Sequence, residues 1–148
     1  DKYFERLNLV ERQFIGRNTA VEIRPLEPDN FLLERDPKAR FRYWMRTQQP
    51  LALDIHEHYA ALAYLSDFWF GVTALTPHRE HKLDTDIYVS SLNHALWFHC
   101  PQRADDWMLV DAQSPWAAQG RGLTIGSIHN RQGRLVASVS QEGLYRIR

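Results

Sequence analysis

One segment constrains this chain more than any other. Residues 59–75 are apolar or small at nearly every position, and Asp67 is the one charged group among them. A helix of that composition needs protein on most of its sides, because a surface helix shows a polar face. Asp54 stands where an N-cap belongs, and Glu57 three residues on completes a capping-box-like pair. The pattern predicts one long helix over 55–75.

Beyond Pro77 the period changes. Strands are expected over 87–98, from 107 to 112, over 123–128 and over 134–147, with Asn130-Arg131-Gln132-Gly133 as a hairpin turn. Upstream, residues 21–26 alternate until Pro25 and Pro28 stop them, residues 29–38 read as a polar loop, and 41–46 as a second strand. A long apolar helix with successive antiparallel strands around it implies an α+β domain, a sheet of about five or six strands wrapped around the helix. Residues 1–20 are an approach or linker segment, with loose helical spacing over 3–15, and the domain proper is 21–148.

At 148 residues the chain has the size of one domain. Lys plus Arg total 18, as do Asp plus Glu, and so balanced a charge argues against a nucleic-acid partner, whose phosphates need a basic excess. The single cysteine, Cys100, excludes an intrachain disulfide and a multi-cysteine zinc site. His56/His58 and His78/His81 match no common zinc spacing, so no metal is expected. No segment reaches the roughly 18 apolar residues of a membrane span. The N-terminus lacks the apolar stretch of a signal peptide, and the missing initiator Met suggests a processed product or a piece.

Three polar residues stand where apolar ones are expected. Asp67 lies mid-helix with no cation nearby, and a buried carboxylate without partners is costly. Gln141 falls on the strand face of Leu135, Ala137 and Val139, where its amide needs a partner. Ser91 shares a face with Ile87, Val89, Asn93, Ala95 and Trp97 by the same alternation. Each also has a bland reading: a helix-end carboxylate facing a gap, a strand-end Gln on a loop carbonyl, a buried Ser bonded to backbone. Together they make a carboxylate and two neutral hydrogen-bonding groups aimed at one interior, a set able to hold and deprotonate water.

Tyr64-Leu65-Ser66-Asp67, the run 91–99 (Ser-Leu-Asn-His-Ala-Leu-Trp-Phe-His) and Gln141-Glu142-Gly143 resemble, in order and spacing, the signature blocks of acyl-CoA thioesterase II. Trp107-Met108-Leu109, Ser114-Pro115-Trp116, Arg121-Gly122-Leu123, Gly133-Arg134-Leu135-Val136-Ala137 and Arg146 extend the similarity over roughly 21–148. The resemblance implies a hotdog fold and two hotdog domains per polypeptide, this chain being the second, with the N-terminal one absent. It implies hydrolysis of fatty acyl-CoA by a water held at Asp67, Ser91 and Gln141, with Asp67 as base, the other two donating toward it, and no cofactor. Many members have Asp where this chain has Asn93, which puts the local hydrogen bonding in question.

Arg121, in the Gly120-Arg121-Gly122 turn, is a candidate contact for coenzyme A phosphates, beside the plainer reading of an exposed turn arginine. The expected partners are acyl-CoA and either the N-terminal hotdog domain or a second copy of the chain, as a homo-oligomer. A cytoplasmic location is expected, because the C-terminus lacks a Ser-Lys-Leu address. Two alternatives stand beside the thioesterase: a non-catalytic acyl-CoA-binding or structural hotdog half, and a hotdog hydratase. The hydratase is disfavoured because Val72 occupies the position, five residues after Asp67, where that chemistry has a His.

Overall fold

The alternating segments all become strands of one antiparallel sheet. The computed structural model describes residues 20–28, 37–78 and 87–147. Its strands are β1 (Val21–Pro25), β2 (Arg40–Thr47), β3 (Ile87–Phe98), β4 (Met108–Ala118), β5 (Arg121–Asn130) and β6 (Leu135–Ile147), in the spatial order β1-β2-β4-β5-β6-β3. The six strands fulfil the α+β expectation of a sheet curled on a helix. The expected approach segment at 1–20 lies, except for Ala20, outside the described residues, and so do most of the 29–38 loop and His81.

The inner face carries the period-2 pattern. Phe41, Tyr43 and Met45 of β2, Met108, Val110 and Ala112 of β4, Ile128 of β5, and Ala137 and Val139 of β6 are buried together. Each of the larger side chains contributes about 1.5–3 kcal/mol by leaving water. The β5–β6 turn forms as its residues demand. Asn130 Oδ1 accepts from the amides of Gln132 at 3.1 Å and Arg134 at 2.9 Å, and Gly133 takes the left-handed conformation at φ +77°.

The helix differs from its expectation in two ways. It is α-helical only over α1 (Ile55–Asp67), and a 3-10 helix, Phe70–His78, continues it after a break. Asp54 caps the start as expected, its Oδ1 accepting from the His56 amide at 3.0 Å. The break comes at Trp69, whose φ of 68° is a left-handed conformation that L-residues adopt at a cost. Tertiary contacts hold it there. The Trp69 ring stacks on Phe41 with centroids 6.2 Å apart, and the Tyr43 hydroxyl donates to the Phe68 carbonyl at 3.2 Å. Propensity alone shows no reason for a stop at this point.

The second difference is burial. α1 buries only His58, Leu62, Leu65 and Ser66, a one-sided stripe, while Ala60, Ala63 and Tyr64 are open to solvent. It is the 3-10 helix that is enclosed, packed on β4 and β5 and touching β2 and β6. Phe70 makes this closeness possible only because β5 has no side chain at Gly126. A Cβ there would lie 2.8 Å from the Phe70 ring and 2.9 Å from the Asp111 carbonyl. Gly126→Ala is therefore expected to destabilise the fold by about 1–3 kcal/mol, the range of an overpacked core. In urea titration the midpoint should fall at unchanged slope; an unshifted midpoint would mean that the helix and sheet are not in this contact.

Candidate active site

The end of α1 sets the position of the first polar group. Asp67 is its last residue, so the carboxylate emerges where the helix stops, with its side chain 52% exposed in this chain. The carboxylate expected inside a fully wrapped helix thus stands at a helix end, because the Trp69 turn carries the chain away from it.

Ser91 reaches Asp67 through an irregularity in β3. Ser91 pairs with Gly143 of β6, but the next pair is Asn93 with Glu142, which leaves Leu92 as one extra residue. Such a bulge reverses the alternation beyond it. Ser91 and His94 consequently share a face with Gln141, whereas Asn93 turns to the opposite face. The expected grouping of Ser91 with Asn93, Ala95 and Trp97 is corrected by this one residue. Asn93 instead donates from Nδ2 to Glu142 at 3.3 Å, and its Oδ1 accepts from the Glu142 amide at 3.2 Å. An Asp at 93 would set a second carboxylate against Glu142, so the amide suits this chain.

The three residues meet. Ser91 Oγ donates to Asp67 Oδ1 at 3.1 Å, and Gln141 Nε2 donates to Ser91 Oγ at 2.7 Å. Gln141, buried to 3% exposure, reaches the carboxylate through the serine. At its other end, Gln141 Oε1 lies 2.9 Å from His94 Nδ1, and His94 Nε2 lies 2.8 Å from Ser66 Oγ. His94 Nδ1 is also 3.9 Å from Asp67 Oδ1. Sequence reasoning did not single out His94 or Ser66, although both fall within blocks of the family resemblance. Their alignment with Gln141 depends on the bulge, which alternation does not reveal.

Gly71, the second residue of the 3-10 helix, backs the cluster. A Cβ on it would lie 3.4 Å from Gln141 Nε2 and 3.5 Å from the Tyr145 hydroxyl. Tyr145 donates to the Gly71 carbonyl at 2.6 Å, tying this turn to β6. Its ring crosses Gly143 and Gly122, where a Cβ would come within 2.5 Å and 3.1 Å of Tyr145 atoms.

The remaining candidates lie elsewhere. Arg121 is the first residue of β5, not a turn residue, since the β4–β5 turn is Gln119-Gly120 at φ 53° and 70°. It donates to Glu142 at 3.3 Å, on the sheet face opposite Gln141. His58 is buried, with Nδ1 accepting from the Ala104 amide at 3.1 Å. Cys100 is buried and unbridged, with its thiol directed at the Leu135 carbonyl at 3.4 Å. No group of three His, Cys, Asp or Glu side chains suited to a metal occurs among the described residues. No described helix is long and apolar enough to cross a membrane.

A curled antiparallel sheet closed on one helix defines the hotdog class. A hotdog-fold protein of unknown function from Alicyclobacillus acidocaldarius superposes with a TM-score of 0.68 at 20% identity, covering 87% of this chain and 46% of that one, a likeness of fold alone. The acyl-CoA thioesterase II TesB2 of Mycobacterium marinum superposes at 0.74 with 39% identity, covering 93% of this chain and 51% of that one. The family described as "Acyl-CoA thioesterase C-terminal domain" matches residues 5–145. Human acyl-coenzyme A thioesterase 8 is 36% identical over 158 aligned residues, covering 100% of this chain and 48% of that protein. Acyl-CoA thioesterase 2 of Haemophilus influenzae is 40% identical over 103 residues, covering 70% of this chain and 36% of that protein. The chain belongs to the acyl-CoA thioesterase family and corresponds to its C-terminal domain. It spans about half the length of the human relative, or 48%.

Burial gives the cluster a measurable pH signature. It pushes the Tyr145 phenol up from its ordinary 10.0 to about 12, and it raises Tyr43 as well, helped by the negative charge of Asp67. A group whose folded pKa exceeds its unfolded one contributes stability below the unfolded value and loses it as pH rises through the folded value. Native stability should therefore fall from pH 10 toward about 12. Tyr145→Phe should fall less steeply over that window, since one of the two raised phenols is then gone. Denaturant titrations at stepped pH measure this, and identical slopes for the two proteins would contradict the buried phenol.

Proposed function

We propose that this chain is the half of an acyl-CoA thioesterase that activates water, and that the whole protein hydrolyses fatty acyl-CoA to a free fatty acid and coenzyme A. The observation that carries this is the unbroken line of donors, Gln141 to Ser91 to Asp67, assembled from three separate elements at an accessible helix end.

The proposed chemistry follows from the groups present. An ionised Asp67 accepts a proton from a water that also contacts Ser91 and Gln141. The water oxygen forms a bond to the thioester carbonyl carbon, and the electron pair of the C=O bond moves to oxygen. Collapse of that tetrahedral species breaks the C–S bond and releases the coenzyme A thiolate, which takes up the proton held on Asp67. The products are a carboxylic acid and a thiol, and no cofactor or metal enters the balance. Arg121 is occupied by Glu142 on the other face of the sheet, so we assign it at most a contact with coenzyme A phosphates and no part in activating water.

Asp67→Asn preserves shape while removing the base, and turnover is expected to fall about 10²–10⁴-fold. Ser91→Ala and Gln141→Ala should each cost less, because Asp67 remains as base and one of the two polar side chains still contacts the water. The assay is thioester cleavage by protein containing both hotdog halves, with folding checked by circular dichroism. Near-full turnover by Asp67→Asn would overturn the mechanism and leave the non-catalytic hotdog half as the surviving reading. The hydratase remains disfavoured, because Val72 supplies no titratable group.

The second half is proposed to dock along β3. Among the described strands β3 pairs only with β6 and ends the sheet, which is the position where a further strand can add. Val89, Leu92, Trp97 and Phe98 of this strand are exposed, with Trp97 at 53%. So apolar an edge suits pairing, and the chain's coverage of 48% of the human relative supports the N-terminal hotdog half as its occupant. Separated from that half, the chain is expected to self-pair or to capture the half in trans. Light scattering that shows a strict monomer over a wide concentration range, with no affinity for the N-terminal half, would refute the surface.

A further inference from the structure

The hydrogen atoms of the polar cluster can be counted from its charged end. An ionised Asp67 can only accept, so the single Ser91 hydroxyl hydrogen points to it across 3.1 Å. Ser91 then offers Gln141 only lone pairs, and the contact at 2.7 Å requires the amide NH2 on that side. Gln141 Oε1 is thereby turned toward His94, and the contact at 2.9 Å requires hydrogen on His94 Nδ1. With Asp67 ionised, any other arrangement sets two acceptors or two donors face to face somewhere along the line, and an unmet buried group costs about 1–3 kcal/mol.

We infer that His94 is a positioning residue for the thioesterase reaction: its Nδ1–H fixes the Gln141 amide so that NH2 faces Ser91 and the water. The inference rests on the proposed thioesterase function and names a residue that acts on it through Gln141. Three elements hold the imidazole for this task. Phe70 of the 3-10 helix meets it edge-to-face, with centroids 6.4 Å apart and planes at 84°. His94 faces Gln141 directly across the β3–β6 pairing. Ser66, buried on α1, meets Nε2 at 2.8 Å.

Ser66 makes the arrangement tolerant of proton uptake. Its one hydroxyl hydrogen has two acceptors at 2.8 Å, His94 Nε2 and the Ala63 carbonyl. With a neutral ring the hydroxyl donates to Nε2. With a protonated ring it rotates to Ala63 and accepts from Nε2–H. In both states Nδ1 keeps its hydrogen on Gln141, so the direction of the line toward Asp67 is unchanged. Asp67 faces the ring, with Oδ1 3.9 Å from Nδ1.

The test uses the full-length protein in two arms. Histidine 15N NMR should find neutral His94 as the Nδ1–H tautomer, and Gln141→Ala should shift it toward Nε2–H. A predominant Nε2–H form in the unaltered protein would overturn the inference whether or not the protein cleaves thioesters. In the kinetic arm His94→Leu removes the donor, and kcat is expected to drop on the order of 10–100-fold with KM little changed, as for misplacement of a reacting group. His94→Asn carries an N–H at nearly the position of Nδ1 and should restore most of the loss. A His94→Leu variant as fast as the unaltered protein, or a folded His94→Asn variant as slow as His94→Leu, would also overturn the inference. Absence of thioesterase activity in the unaltered protein would instead remove the proposed function, leaving the tautomer to decide how His94 holds Gln141.

Discussion

The site depends on where the apolar helix stops. Had residues 55–75 continued as one helix, Asp67 would lie mid-turn in an unbroken cylinder. The left-handed turn at Trp69 makes it a terminus instead. A left-handed tryptophan costs on the order of 1–3 kcal/mol, and the surroundings offset it through the Phe41 stack and the Tyr43 bond to Phe68. The turn also redirects the following residues into the sheet, where the 3-10 helix, not α1, becomes the enclosed element. One local distortion thus places the carboxylate outside and Phe70 inside.

A second distortion, on the sheet, answers the first. The bulge at Leu92 turns Ser91 and His94 to the same side, so that one edge strand supplies two neighbours to Gln141. Without it the strand would present Ser91 and then Asn93, and Asn93 would stand where His94 now meets the amide. The same slip gives Asn93 to Glu142 on the outer face, joining Arg121 in an outer polar group separate from the inner line of donors. Bulges are common beside functional sites because they re-aim side chains without changing the strand order.

Much of the fold is legible in the sequence. Periodicity locates all six strands, although β4 runs on to Ala118, six residues past the expected 107–112; Asp54 marks the helix start, and Asn130 and Gly133 mark the final turn, each by a local mechanism. Asp67, Ser91 and Gln141 stand out because a polar side chain on an apolar face has to be satisfied somewhere. Arg121 reads as a turn residue because Gly120 and Gly122 look equivalent in sequence, although of the two only Gly120 is left-handed. Strict alternation puts His94 on the side of the strand away from Ser91, and only the bulge brings the two together.

The sequence by itself determined the kinds of element, their order and the residues that need partners, since these follow from period, capping and the cost of burying polar groups. Tertiary structure alone decided that α1 ends at Asp67, that Leu92 is extra, and that Gln141 faces Ser91 on one side and His94 on the other. A left-handed residue and a bulge are each unfavourable locally, so no local pattern announces them. They persist because contacts distant in the chain, Phe41 with Trp69 and β6 with β3, hold them in place.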